Sequence, residues 1–132
     1  MIVVDTNVIS YLLLPNATYH GLATELFEKD RNWIAPALWR YELLNVLALY
    51  QRRSILDRSG CSTLYAKSLE LIETKDVHSI DRVFRIVESG KLSGYDSVFV
   101  ALADETNLPL ITEDKKIGKE FPDIAFSMKD YL

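Results

Sequence analysis

With 132 residues, 48% of them hydrophobic and 26% charged, the chain has the composition of an ordinary soluble globular protein and the length for one substantial core. Its apolar runs are too short to span a bilayer, its start reads as no signal peptide, and a lone cysteine, Cys61, excludes an intrachain disulfide, which together favour a reducing, cytoplasmic setting. A net charge of −4 argues against nucleic-acid binding through bulk positive charge, although Arg52-Arg53, Arg82 with Arg85, and Lys115-Lys116 with Lys119 remain candidate local patches.

Taken in order, residues 2–5 form a short unbroken apolar run closed by an acid, as in a strand buried on both faces. Thr6 is placed to cap a short helix through Leu14, which Pro15-Asn16 ends. Tyr19, Leu22, Ala23, Leu26 and Phe27 recur at helical spacing, which predicts an amphipathic helix over 18–29. Trp33-Ile34-Ala35 reads as a second strand, and Pro36 suits the start of a helix to about Arg53. A helix is predicted over 57–74, a brief strand over Asp76-Val77-His78, and a short helix from Ile80 to near Gly90. Residues 94–107 are helical and nearly apolar all round through Ala103, so this helix is expected to be buried. Pro109 to Thr112 reads as a fourth strand, Glu113 to Lys119 as a short helix, and Ile124 to Phe126 as a fifth strand. Alternating strands and helices predict an α/β domain with a parallel sheet, whose ligands bind at the carboxyl ends of strands.

Four carboxylates stand where apolar surroundings make them awkward: Asp5, Glu42, Asp96 and Asp114. Three have a plain structural explanation. Asp5-Thr6-Asn7 would cap a helix, Ser93 to Asp96 matches a capping box, and Thr112-Glu113-Asp114 could cap and then complement a helix dipole. Glu42 is harder to explain in this way. It shares one helix face with Leu38, Asn45 and Leu49, and neither Arg40 nor Arg53 has the spacing to pair with it.

Were the four acids to share a cavity, repulsion would decide their state. Two like charges about 4 Å apart repel by roughly 4 kcal/mol at an effective dielectric near 20. Such a cluster must bind protons or a metal ion. With no Cys/His cluster in the sequence, an all-oxygen donor set points to Mg²⁺ or Mn²⁺, the ions used for phosphodiester cleavage.

Four stretches together resemble the PIN-domain ribonucleases, most of all the toxins of VapBC-type toxin–antitoxin pairs. They are Ile2-Val3-Val4-Asp5-Thr6-Asn7, the segment Pro36 to Asn45 with Glu42 and Asn45, Tyr95-Asp96-Ser97 through Ala103, and Leu110-Ile111-Thr112-Glu113-Asp114-Lys115-Lys116. The resemblance covers nearly the whole chain. It implies a PIN-like three-layer α/β fold with a central parallel five-stranded sheet flanked by helices, and residues 1–132 as one such domain. It further implies a Mg²⁺- or Mn²⁺-dependent endoribonuclease, homodimers and a small inhibitory antitoxin partner. The family's acids fall on Asp5, Glu42, Asp96 and Asp114, with Glu113 beside the last as a competing candidate. Its polar helpers fall on Thr6 or Asn7 and on Thr112.

The expected chemistry is hydrolysis of an RNA phosphodiester. Asp5, Asp96 and Asp114 are expected to hold the metal, and Glu42 to complete the cluster as a ligand or by orienting water. Thr6, Asn7, Asn45 and Thr112 are expected to orient the carboxylates. A helix stripe of Trp39, Leu43, Val46 and Tyr50 is expected to help form a homodimer, with contacts drawn from residues 39–65. Rival readings are a PIN-like RNA-processing nuclease without a toxin role, an inactive RNA- or protein-binding module, and a small-ester phosphatase. A phospho-receiver domain fits less well, because Asp5 lacks an acidic neighbour and Glu42 would have no role.

Overall fold

The computed structural model describes residues 1–132. In chain order the elements are β1 (Ile2–Val4), α1 (Thr6–Leu13), α2 (His20–Lys29), β2 (Trp33–Ala35), α3 (Leu38–Arg52), α4 (Arg58–Leu71) and β3 (Ile72–Thr74). They continue with α5 (Ile80–Ser89), α6 (Gly94–Thr106), β4 (Leu110–Ile111), α7 (Lys115–Glu120), β5 (Ala125–Phe126) and α8 (Met128–Tyr131). The five strands form one sheet in the order β3-β2-β1-β4-β5, and every pairing is parallel. Helices flank it: α1 packs with α2 and α3, while α6 packs with α5 and against β1 and β4. This is the α/β sheet that the alternating pattern predicts.

β1 lies at the centre, and Ile2, Val3 and Val4 are fully buried. That burial accounts for an unbroken apolar run instead of an alternating one. β2 and β4 flank it with equally buried Trp33-Ile34-Ala35 and Leu110-Ile111. The sheet order reverses direction between β1 and β4, so the crevice beyond their carboxyl ends is the topological switch point where such folds bind ligands.

Two local expectations fail for identifiable reasons. The third strand is Ile72–Thr74, four residues before the Asp76-Val77-His78 expected for it. Ile72 is in phase with the apolar side of the preceding helix, so periodicity carries the helix on to residue 74, whereas the chain turns into the strand at Ile72. Asp76 instead accepts a hydrogen bond from the Ala37 N–H at 2.8 Å and steadies the start of α3. The C-terminal helix α8 was not foreseen. Ser127 caps it by accepting from the Asp130 N–H, and Met128 is fully buried. Remaining boundaries differ by a residue or two, as helix and strand ends do.

Of the stripe expected at a dimer contact, Trp39 and Leu43 belong to the chain's own core, whereas Val46 and Tyr50 are half-buried. Trp39 and Leu43 are fully buried, and Trp39 Nε1 donates to Thr74 Oγ1 at 2.9 Å. The exposed apolar residues of α3 are Tyr41, Leu44 and Leu49.

Candidate active site

The fold brings all four carboxylates to one place. Asp5 follows β1 directly, and Asp114 follows β4 by three residues, so both lie on the carboxyl rim of the sheet. Glu42 sits near the start of α3, which leaves the same rim after β2. Asp96 lies in the first turn of α6. This helix runs back from the rim, turns through Asn107 at φ 55°, and returns as β4, so its N-terminus shares the rim with the strand's end. One cleft of about 320 Å³ is lined by Asp5, Glu42, Asp96 and Asp114 together with Thr6, Asn7 and Asn45. No Lys, Arg or His lines it.

Capping and convergence turn out to be compatible. Asp5 caps α1: its Oδ1 accepts from the Thr6 N–H at 2.8 Å, while Oδ2 accepts from the Thr112 hydroxyl at 2.7 Å. Thr6 is therefore the first helical residue and not the cap. Asp114 caps α7 through Oδ1, which accepts from the N–H groups of Lys116 and Ile117. Asp96 is not the cap of α6. Ser93 fills that role by accepting from the Asp96 N–H at 3.1 Å, and the reciprocal bond of a capping box is missing.

Hydroxyl groups position two of the acids. The Thr6 hydroxyl donates to Glu42 Oε1 at 2.7 Å, across 36 residues of sequence. The Thr112 hydroxyl donates to Asp5 and accepts from the Asp114 N–H at 3.0 Å, so it ties the two strand ends together. Asn7 is more loosely held, with Nδ2 3.4 Å from Asp5 Oδ2 and Oδ1 3.5 Å from the Glu113 N–H. Asn45 lines the cleft on the same face of α3 as Glu42. Glu113 points elsewhere: its Oε1 accepts from the Met128 N–H at 2.8 Å and steadies the start of α8. Of the two adjacent acids, Asp114 is the one in the cleft. Ser10 and Val46 also line it, and neither was singled out as a site residue. Ser10 had a signal, since it lies one helical turn after Thr6 on the same face of α1.

Electrostatics separate Asp5, Glu42 and Asp96 from ordinary surface acids. Burial pushes Asp5 up to about 6; the Thr112 and Thr6 hydrogen bonds oppose the rise, and Glu42 and Asp96 add to it. Burial also raises Glu42 above the usual carboxylate range, with the Thr6 bond opposing and Asp96 adding. Asp96 is raised by burial and then by Asp114, against the pull of Ser93 and Lys116. A surface helix terminus stabilises a carboxylate by only about 0.3–1 kcal/mol. For Asp5, that is too little to reverse a rise from 3.8 to about 6, which corresponds to roughly 3 kcal/mol.

The donor set is all oxygen and carries surplus negative charge, which suits a hard divalent cation. As the side chains stand, no three His, Cys, Asp or Glu come close enough together to hold a metal ion between them. The acids ring an open cleft instead, and Mg²⁺ accepts such sites because it keeps several of its waters.

Comparison with known proteins gives the family. The PIN-domain family model matches residues 2–126. Ribonuclease VapC3 of Pyrobaculum aerophilum is 28% identical over 125 residues, which span 92% of this chain and 95% of the relative. The crystal structure of PAE2754 from Pyrobaculum aerophilum matches with a TM-score of 0.79 at 20% identity, covering 98% of this chain and 90% of that one. A toxin–antitoxin complex from Klebsiella pneumoniae matches with a TM-score of 0.71 at 17% identity, covering 97% and 98%. At such identities the solved structures establish a shared fold, and the family match runs over nearly the whole chain. This protein belongs to the PIN-domain family.

Proposed function

We propose that this protein is a Mg²⁺- or Mn²⁺-dependent endoribonuclease and the toxin of a type II toxin–antitoxin pair. One observation carries the nuclease reading: four carboxylates line a single cleft that contains no basic side chain to neutralise them. The curated relative named a ribonuclease and the neighbour named a toxin–antitoxin complex support the reading in turn.

Asp5, Asp96 and Asp114 would hold the cation. When bound, such an ion supplies charge to the phosphate oxygens and acidity to water. Glu42, fixed through Oε1 by the Thr6 hydroxyl, keeps Oε2 to orient the attacking water and accept its proton. Its raised pKa makes it a better proton acceptor than an exposed carboxylate. Thr112 holds Asp5 in place and locks the β4 end against it. The N-terminal ends of α1 and α6 face the same cleft and favour an anionic substrate there. Water replaces one oxygen on phosphorus, one P–O bond breaks, and the leaving oxygen takes up a proton.

The partners implied are RNA, a small antitoxin protein and a second copy of this chain, in the cytoplasm. Exposed Tyr41, Leu44 and Leu49 on α3 are the candidate dimer contacts. The test is direct. Purified protein should cleave single-stranded or looped RNA with Mg²⁺ or Mn²⁺, and EDTA should stop it. Full cleavage by contaminant-free Asp96→Asn protein would remove the nuclease assignment. Cleavage without growth arrest on expression would keep the nuclease and remove the toxin role. A monomer in light scattering at high micromolar concentration would remove the dimer.

A further inference from the structure

The acidic cleft shares a wall with a second cavity. Asn7, Ser10 and Val46 line the cleft, and the same three residues line a neighbouring cavity of about 200 Å³ between α1 and α3. Its remaining lining has a different chemistry, with Tyr11, Leu14, Pro15, Asn16 and Tyr50 and no charged side chain. Tyr11 is held by Tyr19, with ring centroids 4.7 Å apart. Asn16 commits Oδ1 to the N–H groups of Thr18 and Tyr19, which leaves its amide N–H groups as donors. The Tyr11 hydroxyl, its pKa raised above the ordinary value by burial, then Tyr19, then Glu113 and Asp5, is a second donor, as a neutral phenol is.

We propose that this cavity receives the nucleobase next to the scissile phosphate, stacked on a tyrosine face and read at its edge by the amide and phenol donors. The inference rests on the nuclease reading and adds a base-selecting subsite to it. A base is flat, uncharged and polar only at its edge, which matches a cavity whose two tyrosines and apolar Leu14, Pro15 and Val46 are joined by two asparagines. The shared wall supplies continuity, because a strand with its phosphate at the carboxylates has its adjoining nucleotide beside Asn7, Ser10 and Val46. Aromatic stacking is also how single-stranded nucleic acid is held without a large positive surface. That matters for a chain with a net charge of −4.

The test uses a short RNA cleaved at one bond, with each flanking base replaced in turn by an abasic unit. With wild type, one replacement should raise KM about tenfold, the lower range for one stacked base, with kcat little changed. Tyr50→Leu should raise KM similarly on the intact RNA and make the same abasic replacement nearly neutral, whereas Tyr50→Phe should behave as wild type. Wild-type indifference to both abasic RNAs would overturn the subsite without any variant. Additive losses from Tyr50→Leu and the abasic unit would overturn it as well. An unchanged KM in Tyr50→Leu, together with lost inhibition by an antitoxin peptide, would assign the cavity to a protein partner instead. Failure of the wild type to cleave any RNA would end the nuclease reading itself. Cleavage that ignores the flanking base would end only this inference.

Discussion

Helix α6 carries acids at both ends and treats them in opposite ways. At its C-terminal end Asp104 meets Arg82 at 2.6 Å, and Glu105 accepts from the His78 N–H at 2.9 Å with the imidazole 3.4 Å away. On the adjoining α5, Asp81 meets Arg85 at 3.1 Å. At the N-terminal end Asp96 shares a cleft with three more carboxylates, and none of the four forms a salt bridge. Lys116 acts on Asp96 through space without pairing with it. Arginines thus pair with Asp81 and Asp104, whereas no basic side chain pairs with the acids that converge. A cluster of that kind is stable only while burial keeps protons on it or a cation enters from outside.

The largest effect expected on this contrast is catalytic. Asp96→Asn and Glu42→Gln should each lower RNA cleavage by about a thousandfold, the upper range for losing one preorganised charge-stabilising group. Their melting temperatures in EDTA should stay level or rise, because like-charge repulsion is removed. Destabilised metal-free variants beside a wild type indifferent to Mn²⁺ would mean that these two acids serve the fold alone.

Next comes pH. Asp5 sits at about 6 in the folded chain, against 3.8 for an unperturbed carboxyl. The folded state therefore holds this proton more tightly, and metal-free stability should fall as pH rises between about 4 and 6. The loss should be on the order of 3 kcal/mol for this one group. Urea melts in EDTA at several pH values would measure the slope, which Asp5→Asn should flatten. A stability rising over that window in the wild type alone, relative to Asp5→Asn, would contradict the burial effect. Cleavage should instead increase with pH through the same window, and added metal should move its acidic limb lower by favouring the ionised carboxylate.

Thr112→Val tests the link between the two strand ends. It removes the donor to Asp5 and the acceptor for the Asp114 N–H. Cleavage and metal affinity should each fall ten- to a hundredfold, the usual range for a residue that orients a ligand. Metal titration of a folded Thr112→Val protein with unchanged affinity would remove that role.

The smallest effect belongs to the paired edge. Arg82→Met should change stability by less than about 1 kcal/mol and leave cleavage intact, because Arg82 and Asp104 are both partly exposed. A cleavage defect there would blur the contrast between the two ends of α6.

Much of the fold was legible because its signals are local. The apolar run before Asp5, the helical spacing of 18–29 and the nearly all-apolar Val98 to Ala103 each report the burial of their own segment. Where one signal ran into another, legibility stopped. Ile72 continued a helix stripe and hid a strand, and in the stripe of Trp39, Leu43, Val46 and Tyr50 the first two residues fill the core while the last two are half-buried. A periodic pattern states that a face is apolar and does not state what covers it.

From the sequence alone came the candidate acids, because a carboxylate at the end of a buried strand or within an apolar helix face is conspicuous by itself. Their convergence, the choice of Asp114 over Glu113, and the pairing of Thr6 with Glu42 and of Thr112 with Asp5 were decided only by the tertiary structure. The last two bonds join residues 36 and 107 positions apart, beyond the reach of any helical or strand period. The Asp5 pKa depends in the same way on burial by other segments and on the charges of Glu42 and Asp96. Such quantities depend on how distant segments of chain surround a group, which the folded arrangement alone sets.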